Sequence, residues 1–150
     1  MLHTYYMKNP FGIKERKCAL SDHSFIYELT RTTIFPYVSA YLNPSKQVFN
    51  ESFRKNRKTI KILLKGKRRI GFYGIRKDKN VLTVNKLFLS KTYQNMGIGT
   101  FLMNYFESSD IQKIRLEVWD NNPAVKFYEK LGYKIKARKG HKYVMEKSLR

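Results

Sequence analysis

The sequence predicts one mixed α/β domain, and three observations support that prediction. The chain has 150 residues, a length typical of a single domain with one apolar core. Two helical segments come first, and strand-like runs separated by turns follow them. A βαβαββ tail then completes the chain. We therefore expect a mixed, mostly antiparallel sheet of about seven strands flanked by about four helices, in a single domain that spans residues 1–150.

The N-terminal elements are predicted from apolar spacing and cap residues. Residues 1–14 have the pattern of an irregular arm, and Lys17–Leu20 has the pattern of a short strand. Ser21 or Asp22 is a suitable N-cap for the first helix, whose apolar residues recur at helical spacing as far as Pro36. A second helix is expected to begin at the Asn-Pro pair that comes next.

Three strand-like runs in the middle of the chain predict an antiparallel meander. They cover residues 59–64, 69–76 and 81–89, are rich in β-branched and aromatic residues, and are separated by Gly, Asn and Asp. The remaining predicted elements are a helix that opens at a glycine-rich turn near residue 98, a strand at 111–119, a helix at 123–131 and two final strands at 133–137 and 142–145.

The chain is strongly basic. Its 31 Lys and Arg residues against 11 Asp and Glu residues give a formal net charge of +20. Such a field attracts nucleic acid, acidic partners or phosphorylated cofactors. The densest basic stretch runs from Arg54 to Lys79. A solvated lysine-rich surface and a dedicated RNA-binding face explain this stretch equally well.

The cysteine content and the hydropathy pattern indicate a cytoplasmic location. The single cysteine, Cys18, excludes an intrachain disulfide framework and suits a reducing compartment. It is better explained as a small buried apolar residue than as a catalytic thiol. No apolar run is long enough to cross a bilayer, and the first residues lack the order of a secretory signal. We expect no membrane partner, and a monomer or homodimer.

A strand that feeds a glycine-rich turn and then a helix is a potential anion site. The turn runs Gln-Asn-Met-Gly-Ile-Gly from Gln94 to Gly99. The first N–H groups of a helix have no intrahelical partner and lie at the positive end of its dipole. Gly97 and Gly99 also lack the Cβ that would keep the backbone away from phosphate oxygens. A Rossmann site would need earlier glycines and a ribose-binding acidic residue, a role that Asp110 and Glu117 fit poorly.

The next strand and helix carry a second group of motif residues. Ala124 and Tyr128 are four residues apart and therefore share one helix face, where a small residue above a phenol leaves room for a ligand. Gly132 is a typical C′ residue that ends the helix. Taken singly, a core aromatic at Tyr128 and a capping residue at Asn121 explain these positions just as well.

Together, the two motifs in Gln94–Gly99 and Asn121–Tyr133 resemble those of the GNAT superfamily of acetyl-CoA-dependent N-acetyltransferases. In order and spacing they read Q-x-x-G-x-G and N-x-x-A-x-x-x-Y-x-x-L-G-Y. The rest of the chain matches that superfamily in its order of elements. The resemblance implies a GNAT-like fold, in which the sheet is splayed at its two parallel middle strands and acetyl-CoA lies in the opening.

The resemblance also implies roles for individual residues. The residues implied to bind acetyl-CoA are Leu87, Phe88 and Leu89 for the acetyl and pantetheine portion, Gln94, Asn95, Met96, Gly97, Ile98, Gly99 and Thr100 for the pyrophosphate, and Asn121 for the pantetheine arm. Tyr128 would contact the same co-substrate and donate a proton to the departing CoA thiolate. No metal is expected.

The general base is where the sequence departs from the pattern. Many relatives place a carboxylate on the strand before the turn, whereas this strand offers Thr83, Asn85 and Lys86. Glu117 resembles the base of some ribosomal-protein N-terminal acetyltransferases, although its spacing to the tyrosine is one residue shorter than in many of them. A strand glutamate paired with a surface cation, or a water chain in place of a base, explains the pattern equally well. His141 on the closing hairpin is either a residue of the acceptor channel or a surface histidine.

The expected function is transfer of an acetyl group to a primary amine by direct attack on the thioester. The acceptor is open between a small molecule, a peptide or protein N-terminus or lysine, and an RNA-linked amine. The net charge disfavours polycationic acceptors such as polyamines. The alternative function is a basic RNA- or ribosome-binding module on the same scaffold, without turnover.

Overall fold

A computed structural model describes residues 9–150 of the chain. The strands are β1 (Ile13–Lys17), β2 (Ile60–Lys65), β3 (Arg68–Asp78), β4 (Val81–Leu89), β5 (Lys113–Trp119), β6 (Lys134–Lys139) and β7 (Lys142–Ser148). The helices are α1 (His23–Thr33), α2 (Phe35–Val38), α3 (Lys46–Asn56), α4 (Ile98–Tyr105) and α5 (Ala124–Lys130).

Within residues 9–150, the seven strands form one sheet in the order β1-β2-β3-β4-β5-β7-β6. Every neighbouring pair is antiparallel except β4 and β5, which are parallel. The predicted mixed, mostly antiparallel α/β sheet is therefore confirmed. None of the helices in this part of the chain is long and apolar enough to span a membrane.

The N-terminal elements differ from the prediction in their boundaries. β1 begins at Ile13, so the last two residues of the expected irregular arm 1–14 are strand, and the strand expected at Lys17–Leu20 starts earlier. Residues 1–8 of that arm lie outside the described residues. The first helix was expected to end near Pro36, and α1 ends at Thr33, but Pro36 then lies in the first turn of a short helix, α2, that was not predicted. A proline is tolerated there because the first-turn N–H has no intrahelical acceptor.

The sheet buries two apolar clusters, one on each face. On the face covered by α1 and α3, the cluster contains Cys18, Ile26, Leu29, Phe53, Ile60, Ile62 and Phe72. On the face covered by α4 and α5, it includes Tyr73, Val84, Leu102, Ile114, Leu116, Val118 and Met145. We call these the α1/α3 face and the α4/α5 face. The interpretation of Cys18 as a buried apolar residue is confirmed, and burial raises the pKa of its thiol to about 11.

A buried carboxylate fixes the start of α1 against the sheet. Asp22 is the N-cap of α1, as predicted, although its side chain makes no cap bond to that helix. Its oxygens instead accept from both terminal nitrogens of Arg16 at 2.7 and 2.9 Å, from Arg69 at 3.2 Å and from the Ala19 N–H at 2.8 Å. The hydrogen bond from Arg16 is the main cause that lowers the pKa of Asp22 to about 2.

Candidate active site

The parallel strands β4 and β5 pair over only part of their lengths. Val81–Val84 pair with Lys113–Leu116, whereas β4 continues to Leu89 and β5 to Trp119. The unpaired halves border a cleft of about 1370 Å³ that is lined by residues from both faces of the sheet. The backbone groups along these free edges have no strand partner, so they are available to a ligand. The splayed parallel pair that the resemblance implies is therefore present.

A β-bulge and a close strand approach shape β4 beside the cleft. Lys86 pairs with Gly74 and Val84 with Ile75, which leaves Asn85 as the extra residue of the bulge.

The close approach of the two strands is at Gly71 of β3. A Cβ at Gly71 would overlap the carbonyl oxygen of Phe88 and would lie 2.9 Å from the side chain of Leu89. Only glycine fits there without moving the cleft-lining part of β4.

The glycine-rich turn presents a row of free backbone amides at one end of the cleft. Gly97 is the N-cap of α4 with a left-handed φ of 90°, and Asn95 also has a positive φ of 61°. The first amide bonded within the helix is that of Phe101, which donates to the Gly97 carbonyl at 3.0 Å. Among the described residues, no acceptor is found for the amides from Asn95 to Thr100. Free donors at a helix N-terminus are an arrangement that suits an anion.

Most of the residues predicted to bind the co-substrate line this cleft. The cleft-lining members are Leu87, Phe88, Leu89, Gln94, Asn95, Gly97, Gly99, Thr100 and Tyr128. Three predicted members do not line it: the side chain of Met96 is turned to solvent, that of Ile98 is buried in the core, and Asn121 lines a separate surface depression. The predicted contribution of Met96 and Ile98 is a backbone amide, and both of these amides belong to the free row. The Gln94 side chain donates to the Leu89 carbonyl at 2.9 Å and so joins the turn to the end of β4.

The two asparagines before α5 have different positions. The side chain of Asn121 donates to the carbonyl of Tyr37 at 3.1 Å and lines a separate surface depression. Asn122 lines the cleft, and its Oδ1 accepts from the Ala124 N–H at 2.9 Å. The sequence motif contains Asn121 and gives no signal that Asn122 is the one beside the cleft. A contact between Asn121 and a co-substrate stays a prediction.

The backbone of Tyr128 is fixed by the end of α5. Gly132 has a φ of +97° and donates to the Glu129 carbonyl, while Tyr133 donates to the Tyr128 carbonyl, both at 3.0 Å. This pattern is a Schellman motif, which confirms Gly132 as the C′ residue. The rings of Tyr128 and Tyr133 pack edge to face with centroids 5.7 Å apart, as is usual for the two ends of that motif.

The phenol of Tyr128 lies in the cleft on the α4/α5 side. Burial raises its pKa to about 12, so the hydroxyl is protonated at neutral pH. No residue of the described chain hydrogen-bonds to that hydroxyl. A protonated phenol with a free hydroxyl can donate its proton to a ligand in the cleft.

Glu117 lies on the other face of the sheet. Its neighbours Leu116 and Val118 are in the α4/α5 cluster, so Glu117 faces α1 and α3. Its carboxylate is 3.5 Å from the Lys139 Nζ and 3.9 Å from the Lys142 Nζ. The two predicted catalytic residues, Glu117 and Tyr128, both line the cleft, but from opposite faces and with no hydrogen bond between them.

The loop between α2 and α3 is tied to the β6–β7 hairpin at one end of the α1/α3 side. The hydroxyl of Tyr41 donates to Asp120 at 2.6 Å, and Arg138 donates to the same carboxylate at 2.7 Å. The Tyr41 ring stacks on His141 with centroids 3.7 Å apart. His141 is therefore exposed and stacked on this loop, and it is not among the residues that line the cleft. No group of three or more metal-ligating side chains occurs within residues 9–150.

The comparisons with known proteins identify the family. A splayed parallel pair beside a row of free amides is the arrangement implied by the resemblance to N-acetyltransferases. The family model described as the acetyltransferase (GNAT) domain matches residues 56–135, more than half of the chain. The chain therefore belongs to the GNAT acetyltransferase family. A search of the curated proteins found no match.

Solved structures with the same fold include several N-acetyltransferases. PaiA N-acetyltransferase from Thermoplasma acidophilum, in complex with coenzyme A, has a TM-score of 0.70 at 20% identity, covering 91% of this chain and 99% of its own. Ard1 from Thermoplasma volcanium has a TM-score of 0.68 at 19% identity, with coverages of 93% and 99%. Arabidopsis thaliana Naa50, bound to the bisubstrate analogue CoA-Ac-MVNAL, has a TM-score of 0.61 at 20% identity, with coverages of 92% and 99%. At these identities the likeness is one of fold.

Proposed function

We propose that this chain transfers an acetyl group from acetyl-CoA to a primary amine, by direct attack of the amine on the thioester. The proposal depends on one observation, the cleft between the splayed halves of β4 and β5. The amide row Asn95–Thr100 lies at one end of that cleft, and the free hydroxyl of Tyr128 lies within it. The opening through the sheet would let a donor on the α4/α5 face meet an acceptor on the α1/α3 face.

The residues on the donor side fit acetyl-CoA. The amide row suits a pyrophosphate, and the free edge of Leu87–Leu89 suits an arm that carries amide groups of its own. Gly99 lets the start of α4 pack closely on the ring of Phe127, since a Cβ there would lie 3.3 Å from that ring. The coenzyme A in the PaiA structure supports the same reading of the fold. When bound, acetyl-CoA supplies the activated acyl group.

The chain would lower the barrier in two ways. Backbone N–H groups aimed at a developing oxyanion typically contribute ~3 kcal/mol each, and the free edge of β4 is where such donors are available. The Tyr128 hydroxyl, with its raised pKa of about 12, would hold the proton that the departing thiolate takes.

Glu117 is the proposed base. Within the described part of the chain it is the one carboxylate that lines the cleft, and it lies on the face from which an acceptor would approach. It would take the proton of the amine directly or through a water chain. The acceptor itself is proposed only as an amine of a small molecule, a peptide or protein, or an RNA.

The test is a thiol-release assay with acetyl-CoA and a panel of amino acids, peptides, aminoglycosides and charged tRNA, combined with calorimetry of CoA binding. Saturable CoA binding and acceptor-dependent thiol release are expected. An absence of CoA binding would refute the proposal. Salt-sensitive RNA binding without thiol release would support the alternative, a binding module located in the cytoplasm.

A further inference from the structure

We propose that Lys86 and Lys142 form an anion-binding subsite on the α1/α3 side of the cleft, so that the acceptor carries a carboxylate or phosphate beside its amine. This inference rests on the proposed acetyl transfer and names the class of its acceptor. The subsite is separate from the amide row of the α4 N-terminus, which lies on the opposite face.

Lys86 is placed in the cleft by the bulge of β4. Phe88, two residues farther along the strand, packs against the α1/α3 cluster, so Lys86 lies on that same face. It is partly buried and pairs across the sheet with Gly74, which has no side chain to contact it. Among the described residues no carboxylate forms an ion pair with its ammonium group. Even partial burial of an ammonium group without a counter-ion is costly.

Lys142 lines the same cleft from β7. It lies directly opposite Trp119 on the neighbouring strand, with its Nζ 5.0 Å from the centre of that ring. Its distance of 3.9 Å from Glu117 is too long for a strong ion pair. Burial, and to a smaller extent repulsion from Lys142, lowers the pKa of Lys86. Both lysines line the same cleft, where Glu117 is the one carboxylate among the described residues.

The cleft as a whole carries more positive than negative charge. The cationic residues that line it are Arg76, Lys86, Lys91, Arg115 and Lys142, against the single carboxylate of Glu117. Arg115 is already bound to Glu146 at 2.7 Å. Lys91 lies near the glycine-rich turn, and so belongs to the donor end. Arg76 is exposed, so Lys86 and Lys142 are the partly buried cations left for an acceptor.

This charge distribution has two consequences for the acceptor. An oxyanion between the two ammonium groups would offset both their mutual repulsion and the cost of burying Lys86. The same positive field disfavours protonation of a nearby amine, so the amine would be held in its nucleophilic form. A polyamine or a lysine-rich segment would be repelled for the same reason.

The first experiment measures anion binding by the fluorescence of Trp119, the only tryptophan in the sequence. The protein is first saturated with CoA, which blocks the amide row, and is then titrated with sodium phosphate or sodium succinate at constant ionic strength. A saturable fluorescence change is expected. Lys86→Met should weaken it about 10- to 100-fold and Lys86→Arg only a few-fold. The control is Lys67→Met, which removes the same charge from an exposed turn and should change nothing.

The second experiment compares matched acceptors in the thiol-release assay. Glycine should be acetylated faster than glycinamide if the subsite prefers a carboxylate, and O-phosphoethanolamine faster than ethanolamine if it prefers a phosphate. Absence of saturable binding by both anions, or unchanged anion affinity in Lys86→Met, would overturn the inference. Calorimetry of CoA binding distinguishes failure of the proposed acetyl transfer from failure of the proposed subsite. If the wild type does not bind CoA, the proposed acetyl transfer is refuted. If it binds CoA but neither anion, only the subsite is refuted.

Discussion

Replacing Tyr128 by phenylalanine tests the proposed proton donor with little change to the structure. The substitution removes one hydroxyl and keeps the ring that packs against Phe127 and Tyr133. Because that hydroxyl has no hydrogen-bond partner in the described chain, its loss should change the free energy of unfolding by less than about 1 kcal/mol. The affinity for CoA should stay within a few-fold of the wild type.

The rate should respond much more strongly. General acid catalysis contributes about 10²- to 10⁴-fold, so kcat of Tyr128→Phe should fall at least about 100-fold while KM for acetyl-CoA changes little. The pKa of Tyr128 is raised to about 12, and the acid form is the active one. The wild type should therefore show no loss of kcat from this group between about pH 7 and pH 10. The assay is thiol release followed across that range.

Tyr133→Phe is the matched control. Its hydroxyl is also buried without a partner in the described chain, but Tyr133 does not line the cleft. Removing it should leave kcat unchanged and the stability equal or slightly higher. A Tyr128→Phe variant with wild-type kcat at every pH, or equal losses in both variants, would show that the phenol is not the proton donor.

Three further results are expected. Gly71→Ala should lower the free energy of unfolding by about 1–3 kcal/mol and weaken CoA binding, because the added Cβ would overlap the Phe88 carbonyl. The control is Gly74→Ala, whose Cβ would meet nothing closer than 3.8 Å, and both variants are measured by denaturant unfolding and calorimetry of CoA binding. Asp22 has a folded pKa lowered to about 2, so its contribution of about 2–3 kcal/mol is present above about pH 4 and is lost as the pH falls towards 2. The stability advantage over Asp22→Asn should shrink over that window, and an advantage independent of pH would contradict the linkage. Affinity for CoA should fall as salt rises, because the basic field and the amide row both attract its phosphates; a salt-independent affinity would argue against both.

Local rules account for the parts of the site that the sequence predicts correctly. The left-handed Gly97 before α4 and the Schellman glycine Gly132 follow from backbone conformations that only a few residues adopt easily. The period of apolar residues likewise predicts the strands and their order of occurrence. Such features depend on neighbours along the chain, and both glycines lie in the turns where the prediction puts them.

Features that depend on distant contacts were not predictable in this way. The break between α1 and α2, the early start of β1 and the ion cluster of Asp22 each depend on packing against other elements. The choice between Asn121 and Asn122 is set by the carbonyl of Tyr37, 84 residues earlier. The stacking of Tyr41 on His141 joins segments with no shared pattern. Lys86 is notable only once the bulge shows which face it occupies.

The short pairing of β4 with β5 also divides the sheet into two parts. Strands β1 to β4 and strands β5 to β7 are joined by a seam of only four residue pairs, Val81–Val84 with Lys113–Leu116. A ligand that bonds to both free edges would extend that seam and complete the sheet. Binding of the donor should therefore raise the free energy of unfolding by about 2.7 kcal/mol when its concentration is 100 times its Kd. Hydrogen exchange should slow most at Asn85–Leu89, where β4 has no pairing with β5 in the absence of the donor.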